Sequence, residues 1–335
     1  MNKSKKTVLY SAIAFVLLFL VFAIALMVGR YNISPRAFFE AIGGNPERSM
    51  ERSIIVNLRL PRTIVAVLVG IALSLSGLLY QETFQNKLVS PDLLGVSSGA
   101  GVGAAIAIVA GFSAAGIGAF AFVFGIGTVL LTLLVSRVFR NQSSMTLVLS
   151  GIIVGGLAGS LLSFIKYLAD TETTLAGITF WLMGSLEEAT MKDVWFLLPI
   201  VAVCFAIALC IGWRVNIVAL GYEEAQTKGI NYRLYRALII FMATLLTAGS
   251  VAVAGTIGWI GLVIPHMVRL LVGRNTTRTI PLTALFGAVF MVLSDILSRT
   301  FTAAEMPLSA VTGFFGTTIF VAILGFRKKA LTDND

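Results

Sequence analysis

Charge is scarce in this sequence. Asp, Glu, Lys and Arg make up 12% of its 335 residues, about half the share found in soluble domains. That excludes a chain whose surface faces water all round. The phosphate-cradling pattern G-x-x-x-x-G-K-[ST] is absent, because no Gly-Lys pair occurs anywhere, so the chain cannot hydrolyse ATP by that route. His266 is the single histidine, which excludes an HExxH pair and any multi-histidine metal site within one subunit. Placed after Pro265, it reads as a local hydrogen-bonding residue rather than a ligand. Cys204 and Cys210 sit six residues apart in one apolar run, off a common helix face, and there is no CxxC. They read as packing residues that say little about redox compartment. No segment between apolar runs is long enough for a second core, so residues 1–335 form one domain. Nothing here marks an enzyme, and no cofactor or metal bound by this chain is expected.

What is present is hydrophobic length: 57% of residues are hydrophobic and mean hydropathy is +0.93. A bilayer-crossing helix takes about 20 apolar residues. Apolar runs recur at about 8–28, 62–80, 93–111, 116–136, 145–165, 194–213, 237–255, 258–273, 280–298 and 307–326. This predicts an all-α polytopic membrane protein with ten transmembrane helices. The weakest divisions are Gly111–Gly116 and Gly255–Gly258, and Pro265 interrupts the 258–273 run. Lys3, Lys5 and Lys6 before an apolar run resemble a signal peptide, but the run is about 21 residues long without a small-residue cleavage pattern, so it reads as a retained helix. With the N-terminus inside, cytoplasmic segments carry 16 of the 25 Lys and Arg, as the positive-inside rule asks, and both termini are cytoplasmic. Six of the other nine lie in the first outer loop, about 29–61, or at its edge, as Arg30, Arg36, Arg48, Arg52, Arg59 and Arg62. Within it, Ser34, Pro35 and Gly43 mark the cap, first turn and stop of a short amphipathic helix. Membrane lipid is the expected surrounding, and no nucleic-acid partner is expected.

Four features carry functional readings. The cytoplasmic segment at about 214–236 holds a polar island, Leu220-Gly221-Tyr222-Glu223-Glu224-Ala225-Gln226-Thr227-Lys228-Gly229-Ile230-Asn231. It reads as a short exposed helix stopped at Gly229, available to a soluble partner. Arg59 and Arg62, in Arg59-Leu60-Pro61-Arg62, and Arg299 are guanidinium forks suited to carboxylates. They are either headgroup anchors or a docking face for an acidic partner outside. Gly151, Gly155 and Gly159, with Ser150 and Ser160, form a small-residue stripe. In lipid such a stripe lets helices approach closely, either within one subunit or along a subunit interface or translocation path. Asp295 is the best intramembrane carboxylate, but Arg299 follows one turn on, the spacing of an ordinary ion pair. Lys166 and Asp170 repeat that spacing. An ion-coupled carrier therefore has thin support, and a membrane anchor or scaffold is the third class of reading.

Several ordered blocks then give the chain a family likeness. They are Arg59-Leu60-Pro61-Arg62; Gly77 and Gln81; Asn86-Lys87-Leu88-Val89-Ser90-Pro91-Asp92-Leu93-Leu94-Gly95-Val96-Ser97-Ser98-Gly99-Ala100; the island; Gly255-Thr256-Ile257-Gly258-Trp259-Ile260-Gly261-Leu262-Val263-Ile264-Pro265-His266-Met267-Val268-Arg269; and Glu305-Met306-Pro307. Over nearly its whole length the chain resembles the permease family of type II ABC importers for iron–siderophores, haem and cobalamin. The resemblance implies that permease fold, with two permease subunits (identical or paralogous), two cytoplasmic ATPase subunits holding ATP and Mg, and an external substrate-binding protein. It places Leu220, Gly221, Glu223, Glu224, Ala225, Lys228 and Gly229 on the ATPase-coupling helix. It assigns Arg59, Arg62 and Arg299 to binding-protein docking and the fifth span to the translocation path. A ferric siderophore is the expected cargo, with cobalamin or haem as the alternative, in a bacterial plasma or inner membrane. Two departures are Lys87, where the family often has Pro, and Trp259, where Phe is usual.

Overall fold

A computed structural model describes residues 3–139, 143–302 and 304–332. The first two and last three residues, where the orientation reading begins and ends, lie outside the described residues. Among the described residues every regular element is helical. In chain order they are α1 (Lys3–Met27), α2 (Pro35–Ile42), α3 (Ser49–Ser53), α4 (Leu60–Thr83), α5 (Val96–Val109), α6 (Ala114–Val138), α7 (Ser144–Leu168), α8 (Thr174–Met183), α9 (Met191–Val218), α10 (Tyr222–Thr227), α11 (Tyr232–Ala254), α12 (Ile260–Val272), α13 (Thr276–Thr300) and α14 (Leu308–Thr332). A 3-10 turn, Pro46–Arg48, precedes α3, and a π-helical stretch, Ile54–Arg59, leads into α4.

Each apolar run in the sequence falls on a helix, and among the described residues seven helices are long and apolar enough to cross a membrane. The runs at 93–111 and 258–273 fall on the shorter α5 and α12, 14 and 13 residues long. The shortening has local causes. Residues 90–95 close in turns, with Leu93 N–H donating to Ser90 O and Gly95 N–H to Asp92 O, so α5 begins only after Gly95, at φ 81°. Gly255 takes φ 67° and ends α11, and residues 256–259 form no regular element before α12. The expected caps of α2 are present: Ser34 accepts from Ala37 N–H, Pro35 occupies the first turn, and Gly43 closes the helix. The ten-residue α8 was not anticipated, because it is too short for a membrane-length pattern.

α4 is the hub. Its most apolar window is 83% buried, against 17% for α1 and for α7. A helix apolar on every side is one enclosed by neighbours, and α13, α11, α9, α12 and α1 surround this one. Lipid-like surroundings give no hydrophobic drive for helices to associate, so small residues and hydroxyls do that work. A Cβ on Gly70 would lie 2.4 Å from Gly287 O of α13. Ser74 donates to Thr283 O, Ser76 pairs with Thr247, and Tyr80 pairs with Thr244. α1 and α7 leave long apolar faces exposed. Cys204 is buried and Cys210 exposed.

Candidate functional site

Three places carry chemistry: one at each end of α4 and a cavity along it. The helix spans 24 residues, about 36 Å at 1.5 Å per residue, so its two ends are well separated.

At the Leu60 end the structure gathers all three arginines, but not as an open face. Arg59, Arg62 and Arg299 are 6%, 8% and 5% exposed. Arg59 donates to Leu26 O at 2.9 Å and Met27 O at 2.7 Å, and also to Tyr31 O. Arg299 donates to Ala25 O at 2.7 Å. A helix end leaves its last carbonyls without partners, and these two side chains cap that end of α1. Arg62 makes a fork with Glu305, at 2.9 and 2.8 Å, and reaches Asp295 Oδ1 at 2.8 Å. Asp295, fully buried, meets Arg299 with its other oxygen at 3.3 Å. The expected i,i+4 pair is therefore real, but it belongs to a five-residue cluster tying α1, α4, α13 and the segment before α14. This corrects the expectation of a free guanidinium face, since a buried carboxylate and bare helix carbonyls both demand cations. The exposed basic residues here are Arg30, Arg36 and Arg52. The Lys166–Asp170 expectation is also corrected: Asp170 accepts from Thr173 N–H and Oγ1, at 2.9 and 2.8 Å, and caps the turn before α8.

The island lies at the other end. Gly221, at φ 114°, turns the chain out of α9 into α10, and Gly229 at φ 69° stops it. Leu220, Glu223, Glu224, Lys228 and Gly229 are exposed while Ala225 is fully buried. Ile230, Tyr232 and a Tyr222–Tyr232 edge-to-face contact at 5.7 Å hold the helix against the bundle. Two carboxylates thus stand free at the first turn of a helix seated by one small buried residue. A Cβ on Gly221 would come within 3.2 Å of the Gln85 side-chain amide, so the island abuts the connector between α4 and α5.

That connector is also a wall of the cavity, about 610 Å³ in volume. Leu88, Ser90, Pro91 and Asp92 line it from the connector, Ser97 and Ser98 from α5, Thr247 from α11, and Thr256 to Leu262, save the buried Ile260, from the approach to α12. Asp92 Oδ1 accepts from Ser97 N–H at 2.7 Å and so caps α5. Trp259 sits at φ 69°, and Gly316 of α14 makes room for it: a Cβ there would lie 2.7 Å from Trp259 Cβ. Among the described residues the lining is hydroxyl and apolar, with a single carboxylate and no Lys or Arg.

The small-residue stripe of α7 divides. Ser150 and Gly151 are buried; a Cβ on Gly151 would lie 2.3 Å from Leu93 O, and one on Gly155 3.9 Å from Gly95 Cα. These residues seat α7 on the turn before α5. A Cβ on Gly159 would meet nothing within 4 Å, and Ser160 is exposed. From α7 the cavity takes Leu162 rather than any of these five.

Sequence reasoning missed the polar cluster beneath the connector. Pro265 has no N–H to give the carbonyl four residues back, so Gly261 O is freed, and Gln81 donates to it at 3.2 Å and to Val89 O at 3.1 Å. Arg269 donates to Gln81 Oε1 and pairs with Glu82 at 3.4 Å, and Lys87 pairs with Glu82 at 2.6 Å. The visible signals were the proline four residues after Gly261 and Lys87, which stands where the family often has Pro.

The sequence that builds this bundle matches a protein family, described as the FecCD transport family, over residues 17–326. The chain belongs to the FecCD transport family. It is 37% identical to the molybdate import system permease MolB of Haemophilus influenzae, over 93% of this chain and 94% of that one. It is 38% identical to a protein of Helicobacter pylori named as a probable iron chelatin transport system permease, over 86% of each. A solved structure described as an inward-facing metal-chelate type ABC transporter superposes with a TM-score of 0.86 at 36% identity, covering 94% of this chain and 98% of that one. This FecCD chain is thus a membrane-embedded permease subunit of an ABC importer, a transport component rather than an enzyme. Subunits of this kind work with ATPase and substrate-binding partners.

Proposed function

We propose that this permease imports a ferric siderophore, with a second permease copy or paralogue beside it in a bacterial plasma or inner membrane. The observation that supports this cargo best is the cavity lining. A bare oxyanion entering it would lose hydration, find no cationic side chain and meet Asp92, and an unpaired buried charge is costly. A siderophore encloses its metal in an organic shell that hydroxyl and apolar walls suit. Cobalamin and haem are shelled cargoes of the same kind. Molybdate is the second reading, and the identity to a molybdate permease over most of both chains favours it.

On this reading two ATPase subunits, which carry ATP and Mg, grip the island from the cytoplasm. The exposed Glu223, Glu224 and Lys228 are the contact, and the buried Ala225 passes the load to the bundle. A binding protein docks outside on the exposed Arg30, Arg36 and Arg52, and Arg59, Arg62 and Arg299 hold that surface from beneath. The translocation path follows the cavity and the open part of the α7 stripe at Gly159 and Ser160. An ion-coupled carrier finds less support, since Asp295 is held between two arginines rather than free to load a cation or proton.

The test is uptake in a strain lacking this chain. Radio-iron-labelled trihydroxamate should enter only when the chain and an active ATPase are both present, and labelled molybdate should not. Entry of molybdate alone would replace the cargo, and uptake without ATPase activity would replace the transport class. Reversing Glu223 and Glu224 to Lys should abolish co-purification of the ATPase; retained co-purification and uptake would remove the coupling role.

A further inference from the structure

The connector between α4 and α5 touches the island on one side and lines the cavity on the other, and few bonds hold it. Most are local: Asn86 N–H donates to Gln81 O, Val89 N–H to Asn86 O, and Leu88 N–H to Asn86 Oδ1. Gln85 takes φ 53°, a conformation that costs a non-glycine residue and needs support from its surroundings. Besides the Thr132 hydroxyl of α6, which donates to Leu94 O at 3.1 Å beside α5, the polar ties that join the connector to the rest of the bundle among the described residues converge on one cluster. Lys87 Nζ meets Glu82 Oε2 at 2.6 Å, and Glu82 Oε1 meets Arg269 at 3.4 Å. Arg269 donates to Gln81, whose amide reaches both Val89 O in the connector and Gly261 O in α12. An unbroken polar chain thus runs from Lys87 to the cavity wall at Gly261. Packing reinforces it: a Cβ on Gly261 would lie 2.2 Å from the Pro91 ring.

We propose that Lys87 is a positioning residue that, through Glu82, fixes the connector between island and cavity, and so sets how much cargo moves for each ATP hydrolysed. The proposal rests on the reading that the island meets an ATPase. Glu82 is 3% exposed and needs cations, while the Lys87 side chain is 35% exposed. Removing Lys87 therefore loosens the connector but leaves Arg269 to neutralise the buried carboxylate, and the bundle survives. A motion begun at Gly221 reaches Gln85 first. It arrives at Pro91 and Gly261 as a rigid displacement only while the connector is pinned.

Two measurements test this in the full chain with both cysteines replaced by alanine. The first uses the assembled importer in proteoliposomes, with trihydroxamate-bound radio-iron and labelled molybdate as probes and phosphate release followed in the same vesicles. Lys87→Ala should lower cargo moved per phosphate released by about three- to tenfold, with ATPase co-purification unchanged, and Lys87→Arg should restore the ratio. An unchanged ratio in Lys87→Ala, or no rescue by Lys87→Arg, overturns the proposal. The second places spin labels at positions 88 and 222. The distance distribution should broaden in Lys87→Ala and narrow again in Lys87→Arg, and an unaltered distribution overturns the pinning. Wild-type vesicles that move neither probe on ATP would sink the importer reading itself, and the coupling role with it, while the spin-label result still decides the pinning.

Discussion

The side-chain amide of Gln81 donates to the carbonyl of Gly261, 180 residues further along the chain, at 3.2 Å. The bond stands where Pro265 has removed the helical one, so α4 supplies from outside what α12 cannot supply from within. Gln81→Leu keeps the volume roughly but strands Gly261 O and leaves the Arg269 guanidinium with Glu82 as its remaining partner. A buried polar group left without a partner costs about 1–3 kcal/mol. The expected outcome is a lower thermal midpoint in detergent than for Thr83→Val, whose hydroxyl makes no hydrogen bond; equal midpoints would refute it.

Asp295 lies between Arg62 and Arg299, all three buried. Breaking a buried pair by removing one partner costs about 3–5 kcal/mol. Asp295→Ala should therefore reduce folded yield and thermal stability sharply, whereas Arg36→Ala, whose side chain is 89% exposed, should be nearly neutral. Folded yield by size-exclusion chromatography and thermal unfolding compare the two.

Two glycines should respond oppositely to alanine. A Cβ on Gly77 would lie 1.9 Å from Gly261 O, but one on Gly156 meets nothing within 4 Å. Gly77→Ala pushes two backbones apart and should destabilise by about 1–3 kcal/mol. Gly156→Ala removes backbone freedom at an open helical position and should be neutral or stabilising by up to about 1 kcal/mol. Paired thermal melts would show the difference, and similar shifts would contradict the packing.

Residues 34–52 should loosen in acid. The Arg36 hydrogen bond and then that of Arg48 hold the Glu40 carboxyl below its ordinary value of 4.5. A depressed carboxyl pKa contributes stability that is present above the ordinary value and is lost as pH falls through the folded one. Amide exchange across α2 should therefore stay constant from neutral pH to about 4.5 and quicken below it, after correction for intrinsic rates. Salt should weaken the effect, because these side chains face solvent. No change on acidification would mean the pair does not order the loop.

The sequence by itself determined where the chain turns helical and where it stops. Apolar length marked the long helices, because a backbone in lipid must satisfy its own hydrogen bonds. Ser34, Gly43, Gly229 and Gly255 acted within a turn of themselves, so their roles were legible locally. The Asp295–Arg299 pair was legible from its spacing, but tertiary structure decided what the other buried ionisable residues do. Arg62 finds its acids 233 and 243 residues away, and Arg59 spends its charge on the end of α1. No local pattern reports such distances, so one motif could read as an anchor, a docking face or a structural clasp. Glu82 was equally silent and Lys87 stood out only as a departure from the family pattern, because Arg269 reaches Glu82 only once α12 has packed on α4. Burial and partner distance set the energy of a charge, and both are properties of the folded bundle.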